Sequence, residues 1–139
     1  MSIAATLATI RKMQREPVHA RLDELGERVL GITRANIDKH GLGAAMAVAG
    51  RPSWGLMQFR DADGASAAEI KSLFLQEIIA RGILTAGSYN ICYAHTDEDL
   101  RALDRAQDES CRIVREALAA GDIAQRLAGP AIQPVFRVR

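Results

Sequence analysis

The chain has 139 residues and a mass of 15.1 kDa, the size of a single domain. Hydrophobic residues make up 48% of it and charged residues 25%, close to the globular average, which argues against disorder, collagen-like repeats and coiled coils. Because 18 Lys and Arg stand against 17 Asp and Glu, the net charge is +1, and no long-range field favours nucleic acid or an anionic membrane as a partner.

The first forty residues predict two consecutive helices. The first helix has apolar residues at helical spacing and ends before Pro17, which also suits the start of the next helix. The second helix, about residues 17–40, has a 4-3-4-3 apolar spacing and ends at Gly41. Its apolar stripe consists of Val18, Leu22, Leu25, Val29 and Ile32. Gly26 and Gly31 lie inside this helix, and because glycine weakens helices, we expect another backbone to pack closely against both.

Residues 44–59 predict a β-hairpin. Two short apolar runs flank the turn signal Gly50–Ser53. A second turn is predicted at Asp61–Gly64. Ser66, with Glu69 three residues later, forms the signature of a capping box, so a third helix is expected over about residues 66–81.

The region after this helix predicts two more short strands, at Ile83–Ala86 and Ile91–Ala94. Between them, Gly87–Asn90 combines two small residues with a phenol and an amide, and it is equally compatible with a plain turn and with a ligand-facing loop. Thr96 then caps a fourth helix that ends at Gly121. The predicted order is α-α-β-β-α-β-β-α. The fold class is therefore α+β, a small and mostly antiparallel sheet packed by three to four helices.

The residues that most often carry metal or thiol chemistry are scattered. His19, His40 and His95 lie in different elements, so no metal site is expected. His40 beside the end of its helix suits a dipole partner, and His95 suits a brace at the corner before the last helix. Cys92 and Cys111 form no metal or disulfide pattern and are expected to be reduced, semi-buried thiols of a cytoplasmic protein.

The remaining chemical signals are weak. No apolar run is long enough to span a membrane, and the first ten residues lack the basic start of a signal peptide. Lys12, Lys39 and Lys71 are predicted to be solvated, so none is a candidate for Schiff-base chemistry.

Four segments nevertheless resemble one enzyme family, in the right order and at the right spacing. The longest is GILTAGSYNICYAHTDEDLRALDRAQDESCRIVREAL, and the others are SIAATLATIRKM, the helix from Val18 to Gly41, and WGLMQFRD. They resemble the end of class III (fold type I) pyridoxal-phosphate (PLP) aminotransferases, especially the branch around glutamate-1-semialdehyde aminomutase. The resemblance covers residues 2–120.

The resemblance implies that the chain corresponds to the C-terminal small domain of such an enzyme. Residues 1–16 would be the linker helix, 17–121 the α+β small domain and 122–139 a C-terminal tail, either loose or forming an edge strand. In the family, the lysine that binds PLP, the acid beside the pyridinium nitrogen and most phosphate contacts lie in the larger domain. We therefore expect no cofactor on this chain and no catalysis by it alone.

The resemblance also implies a substrate-facing site. The family's small domain closes over the active site, and by position its substrate-facing residues here are Ser88, Tyr89 and Asn90. Tyr89 stands where the family commonly has histidine. The arginine with which many relatives grip a substrate carboxylate is missing from this stretch, which favours an aminomutase-like or amino-sugar-type substrate.

The partners follow from the same comparison. A domain separated from its larger neighbour exposes apolar surface, so we expect a homodimer or larger assembly, with the opening helix as its contact. The larger PLP-binding domain is the other expected partner. Two alternatives remain: a stand-alone α+β interaction module that keeps the fold without catalysis, and a small enzyme with its own site near Tyr89, Cys92 and His95.

Overall fold

A computed structural model describes residues 2–133, and the account below is confined to them. They form five helices and a three-stranded antiparallel sheet, which confirms the α+β class. The elements in chain order are α1 (Ser2–Arg15), α2 (Val18–Lys39), β1 (Met46–Arg51), β2 (Trp54–Phe59), α3 (Ala67–Ala80), β3 (Ser88–Asn90), α4 (Asp97–Ala120) and α5 (Ile123–Arg126).

The two opening helices form as predicted, and only one of the two glycines in α2 is explained by close packing. A Cβ added to Gly26 would lie 1.9 Å from the Pro52 carbonyl oxygen, so the β1–β2 turn packs directly against the helix backbone there. The expectation for Gly31 was wrong, because its Cβ position has no atom within 4 Å. Gly41, with a φ of +63°, ends α2 in the left-handed conformation that glycine adopts readily.

The hairpin is confirmed, but the strand assignment after α3 needs correction. Neither Ile83–Ala86 nor Ile91–Ala94 is a strand; the strand is Ser88–Asn90, inside the segment predicted as a turn or loop. β3 pairs antiparallel with β2 over three residues only. The two flanking segments were predicted as strands because they are apolar. The strand instead forms where the chain pairs with the free edge of β2. The observed order is therefore α-α-β-β-α-β-α-α.

Side chains alternate across this sheet and give it two different faces. Paired residues of antiparallel strands point to the same side. The inner face carries Met46, Met57 and Tyr89, which are 1%, 9% and 7% exposed and join the helices in the core. The outer face carries Trp54 and Leu56, which are 58% and 40% exposed. This second face is open to solvent at Trp54 and Leu56.

Local capping signals place α3 and α4. Ser66 accepts a hydrogen bond from the backbone of Glu69, whose carboxylate accepts one from the Ser66 backbone, so the predicted capping box is present. Thr96 and Asp99 form the same reciprocal pair at the start of α4. Gly121, with a φ of +67°, ends α4 as predicted. The cap at Thr96 fixes where the segment between α3 and α4 ends.

The core lies between the inner face of the sheet and helices α2, α3 and α4. Its largest fully buried side chain is Phe74, which contacts Phe59 at a ring-centroid distance of 5.8 Å. Both cysteines are free, but their predicted semi-burial was wrong: Cys111 is 1% exposed in the core and Cys92 lies on the surface. The backbone N–H of Ile132 donates to Ser72 Oγ at 2.8 Å, and residues 134–139 of the predicted tail lie outside the described residues.

His40 does lie at the end of α2, as the sequence indicates, and it bridges that helix to α4. Its Nε2 atom is 2.6 Å from Asp108 Oδ1, and Lys39 Nζ is 2.7 Å from the same oxygen. Lys39 and then His40 hold the pKa of the Asp108 carboxyl below its ordinary value. The three side chains connect the C-terminal end of α2 to the middle of α4.

This cluster makes stability depend on acid pH. A lowered folded-state pKa means that Asp108 stabilises the fold above the ordinary carboxyl pKa of 3.8, and that this stabilisation is lost as the pH falls further. We expect Asp108→Asn to lower the free energy of unfolding by about 1 kcal/mol at pH 7, because the partly exposed cluster is screened by solvent. In urea unfolding curves, the difference in unfolding free energy between the variant and the parent should shrink below pH 4. Equal unfolding free energies at pH 7 would contradict a stabilising role for Asp108.

Candidate substrate-facing site

The three residues predicted to face a substrate lie on β3, where the strand separates them. Ser88 pairs with Leu56 and Asn90 pairs with Trp54, so both lie on the outer face of the sheet. Ser88 is half-buried and Asn90 is exposed. Tyr89 pairs with Gly55 and points to the opposite, inner face. The outer face can present a hydroxyl and an amide to a ligand, but the Tyr89 phenol lies in the core.

A tight turn fixes the start of β3. Thr85 Oγ1 accepts a hydrogen bond from the backbone of Gly87 and donates one to the Ser88 carbonyl, both at 3.0 Å. Gly87 has a φ of +95°, a conformation open to glycine, and its carbonyl accepts from the Met57 backbone at 2.8 Å. These bonds hold Ser88 in register with β2.

Tyr89 anchors the same strand from the inside through a buried polar network. Its hydroxyl lies 2.6 Å from Gln107 Nε2 on α4, and that nitrogen also lies 3.1 Å from Thr33 Oγ1 on α2. Burial raises the pKa of the Tyr89 phenol well above its ordinary value. Tyr89 therefore acts as a neutral hydrogen-bonding group that ties β3 to two helices.

The network predicts a measurable coupling between Tyr89 and Gln107. We expect Tyr89→Phe to destabilise the fold by about 1–2 kcal/mol, because a buried amide loses its partner. Gln107 Oε1 already lacks a hydrogen-bond partner among the described residues, so Gln107→Leu removes an unsatisfied group together with the bond. The double variant should therefore be more stable than the sum of the two single effects predicts. Additive effects in a denaturation cycle would show that the bond contributes nothing.

A cavity of about 480 Å³ lies beside β3, between the segment after α3 and the start of α4. All three predicted site residues, Ser88, Tyr89 and Asn90, line it together with His95 and Asp99. The carboxylate at the start of α4 is already hydrogen-bonded within the helix cap. Asp99 accepts from the Thr96 backbone and hydroxyl, which lowers the pKa of its carboxyl. The cavity thus combines these polar groups with apolar side chains of α2 and α4, among them Val29, Leu100 and Leu103.

His95 braces the corner before α4, as the sequence indicates. Its Nδ1 accepts a hydrogen bond from the Cys92 backbone at 3.2 Å, and its own backbone donates to the Cys92 carbonyl at 3.0 Å. An accepting Nδ1 leaves the proton of the neutral ring on Nε2. Because the Tyr89 phenol points into the core and the Cys92 thiol is exposed, these residues do not assemble the alternative small-enzyme site.

The described residues also bear on metal and cofactor binding. Within residues 2–133, no group of three or more His, Cys, Asp and Glu is placed to hold a metal ion. The start of α4 borders the cavity, but its first turn carries Asp97, Glu98 and Asp99, which oppose a phosphate. Lys12 and Lys39 are engaged in ion pairs with Glu16 and Asp108, whereas Lys71, predicted to be solvated, is half-buried on α3 near Gly87. With the acidic first turn of α4 beside the cavity, these residues do not fit the PLP phosphate.

Sequence reasoning missed two contributors to this region. Trp54 and Leu56 share the outer face with Ser88 and Asn90, and their alternation with Gly55 and Met57 in the segment WGLMQF was a usable signal. The other contributor was Gln107, a polar residue within the apolar stripe of α4. A polar side chain that is buried there needs a hydrogen-bond partner.

Two solved structures are similar to this chain in fold. One is described as a transaminase with PLP bound; it is 25% identical over 76% of this chain and 24% of its own, with a TM-score of 0.64. The other is the FumI protein of Sphingopyxis sp. MTA144 in its PLP internal aldimine form, 22% identical over 84% of this chain and 28% of its own, with a TM-score of 0.72. The chain has an aminotransferase-like fold. It spans about a quarter of each solved chain.

The other comparisons add no family assignment. No protein-family model matches the sequence, and no curated protein matches it. None of the described helices is long and apolar enough to cross a membrane. The aminotransferase-like fold therefore rests on the two structures.

Proposed function

We propose that this chain is the small domain of a cytoplasmic, PLP-dependent class III aminotransferase, of the glutamate-1-semialdehyde aminomutase branch. It acts by closing over a substrate held in a larger, cofactor-bearing domain. One observation carries the proposal: the alternation of β3 puts Ser88 and Asn90, two of the residues at the family's substrate-facing positions, on the outer face of the sheet, where both line the cavity. The likeness to a transaminase and to a second PLP-bearing chain, each about three times as long as this one, supports it.

In this role the chain positions groups and excludes water. The Ser88 hydroxyl and the Asn90 amide donate and accept hydrogen bonds, and neither changes charge near neutral pH. Trp54 and Leu56 beside them supply apolar area that displaces solvent when the face is covered. PLP, bound by the larger domain, supplies the electron sink for the chemistry. Tyr89, whose hydroxyl is bonded to Gln107, holds β3 from the inner face of the sheet.

The outer face also bears on the substrate class. No arginine occurs between residues 82 and 100. The nearest one on this face is Arg51, which pairs with Trp54 on the side away from Asn90. Asn90 and Ser88 therefore favour a substrate end that is neutral and hydroxylated, or an aminomutase-like substrate, over a carboxylate.

The first test is the size of the native polypeptide. An immunoblot of the source cells, with an antibody raised against this chain, should show a band several times heavier than 15.1 kDa. A band at 15.1 kDa would favour a stand-alone module. In parallel, the purified chain mixed with PLP should develop no lysine-aldimine absorbance and no amino-acid turnover, because the described residues do not fit the PLP phosphate. Turnover by this chain alone would contradict the assignment.

A stand-alone interaction module is the second candidate, and the exposure of α1 favours it. Ile3, Leu7 and Ile10 lie on α1 and are 77%, 48% and 45% exposed. We propose that the isolated chain self-associates through this stripe. Light scattering after size exclusion should show a dimer or larger species, and Leu7→Glu should shift it to monomer. Leu84→Glu, at a site 90% exposed in a loop away from α1, is the matched control. A monomer at every concentration would exclude self-association.

A further inference from the structure

Helix α1 lies almost outside the packed domain. Every described side chain from Ile3 to Arg15 is exposed, whereas the first residue of α2, Val18, is 6% exposed and belongs to the packed part. The two helices are joined by Glu16 and Pro17 alone. Burial of apolar area therefore contributes little to the angle at which α1 leaves α2.

A cluster of three side chains connects α1 to the rest of the domain. Lys12 Nζ lies 5.3 Å from the centroid of the Tyr93 ring, in the range of a cation–π contact. Lys12 also forms an ion pair with Glu16 at 2.8 Å, one turn along the helix. Lys12, followed by Tyr93, lowers the pKa of the Glu16 carboxyl. The last turn of α1 thus contacts the face of the Tyr93 ring through Lys12.

Tyr93 in turn belongs to a rigid segment. It lies three residues after Asn90, between the Ile91 backbone, which donates to the Ser53 carbonyl at 3.3 Å, and the Cys92–His95 turn. Tyr93 is thereby tied to β3 and to the hairpin. A displacement of β3 would reach the end of α1 through the Tyr93 side chain.

We propose that Tyr93 is a latch that sets the angle of α1 and couples it to the strand carrying Ser88 and Asn90. The pivot is Glu16–Pro17, and Lys12 and Glu16 are the groups that Tyr93 engages. Contacts of this kind at exposed sites are weak individually, so the latch opens and closes instead of locking α1. We expect loss of the ring to change the ratio of closed to open chains about 5-fold. This inference does not rest on the proposed function.

The test measures the distance between α1 and α4 in the full chain. Spin labels at Thr9→Cys and Ala119→Cys, both exposed, are introduced with Cys92→Ser, and pulsed electron resonance gives the distance distribution. The latched chain should give a narrow distribution and Tyr93→Ala a broad one. Tyr93→Phe, which keeps the ring, should lie between them. Leu84→Ala is the matched control and should match the parent.

A second variant keeps Tyr93 and removes the charges of Lys12 and Glu16. Lys12→Gln with Glu16→Gln alters one exposed residue of α1 and one half-buried residue of the joint, both outside the core, and it should broaden the distribution as Tyr93→Ala does. Circular dichroism checks that α1 stays helical and that the melting temperature changes little. A narrow distribution in both variants would overturn the proposal, and so would a distribution already broad in the parent chain.

Discussion

Gly26→Ala should destabilise the fold by about 3 kcal/mol, a large effect for the addition of one methyl group. The new Cβ would lie 1.9 Å from the Pro52 carbonyl oxygen and 2.2 Å from its carbon. Both are backbone atoms of the hairpin turn, so no flexible side chain can move aside. Either α2 or the hairpin must shift, which disturbs the packing of β1 and β2. Urea unfolding followed by circular dichroism measures the change.

Gly31→Ala is the matched control on the same helix. Its Cβ position has no atom within 4 Å, and the residue is exposed. Alanine should therefore stabilise α2 by about 0.5–1 kcal/mol through helix propensity alone. The opposite signs of these two substitutions separate a packing requirement from a propensity effect. Similar effects at both positions would show that Pro52 does not restrict Gly26.

Cys111→Ala should flatten the loss of stability at alkaline pH. Burial, followed by the charge of Asp108, raises the pKa of the Cys111 thiol to about 12 from an ordinary 9.0. Above pH 9 the unfolded chain therefore releases this proton first, and the folded state loses stability at about 1.4 kcal/mol per pH unit. By pH 11 this amounts to about 2–3 kcal/mol. The stabilisation is fully present below pH 9.

The variant also removes a buried sulfur, which should cost about 1 kcal/mol at pH 7. The unfolding free energies of the variant and the parent should therefore converge as the pH rises and cross near pH 10. Urea unfolding from pH 7 to 11 under reducing conditions measures this. Cys92→Ala, on the surface, should leave the profile unchanged. Parallel curves for Cys111→Ala and the parent would show that the thiol does not titrate differently in the two states.

The helices and their ends were predictable because their signals are local. Helical spacing marked α2, and the capping residues Ser66 and Thr96 marked the starts of α3 and α4. The hairpin was predictable as well, since its turn signal and both strands lie within sixteen residues. The prediction for Gly31 was wrong because a glycine in a helix indicates close packing only where another element lies against it. The sequence does not show whether such an element is present.

The candidate site was located at the right segment but not resolved within it. Ser88, Tyr89 and Asn90 were grouped by sequence position, and the strand divides them between two faces. A strand of three residues is too short for its alternation of burial to be visible in the sequence. The burial of Tyr89 depends on Gln107 and Thr33, which lie 18 and 56 positions away from it. Whether Ser88 and Asn90 bind a substrate stays a prediction.

By itself the sequence determined the fold class, the long helices with their caps and the hairpin, because these features depend on residues a few positions apart. Only the tertiary structure decided where β3 forms, which face each of its residues occupies and that α1 stands away from the core. A short strand is stabilised by the neighbour it pairs with, and here that neighbour, β2, lies some thirty residues earlier. The exposure of α1 likewise depends on what packs against it, which helical spacing does not record.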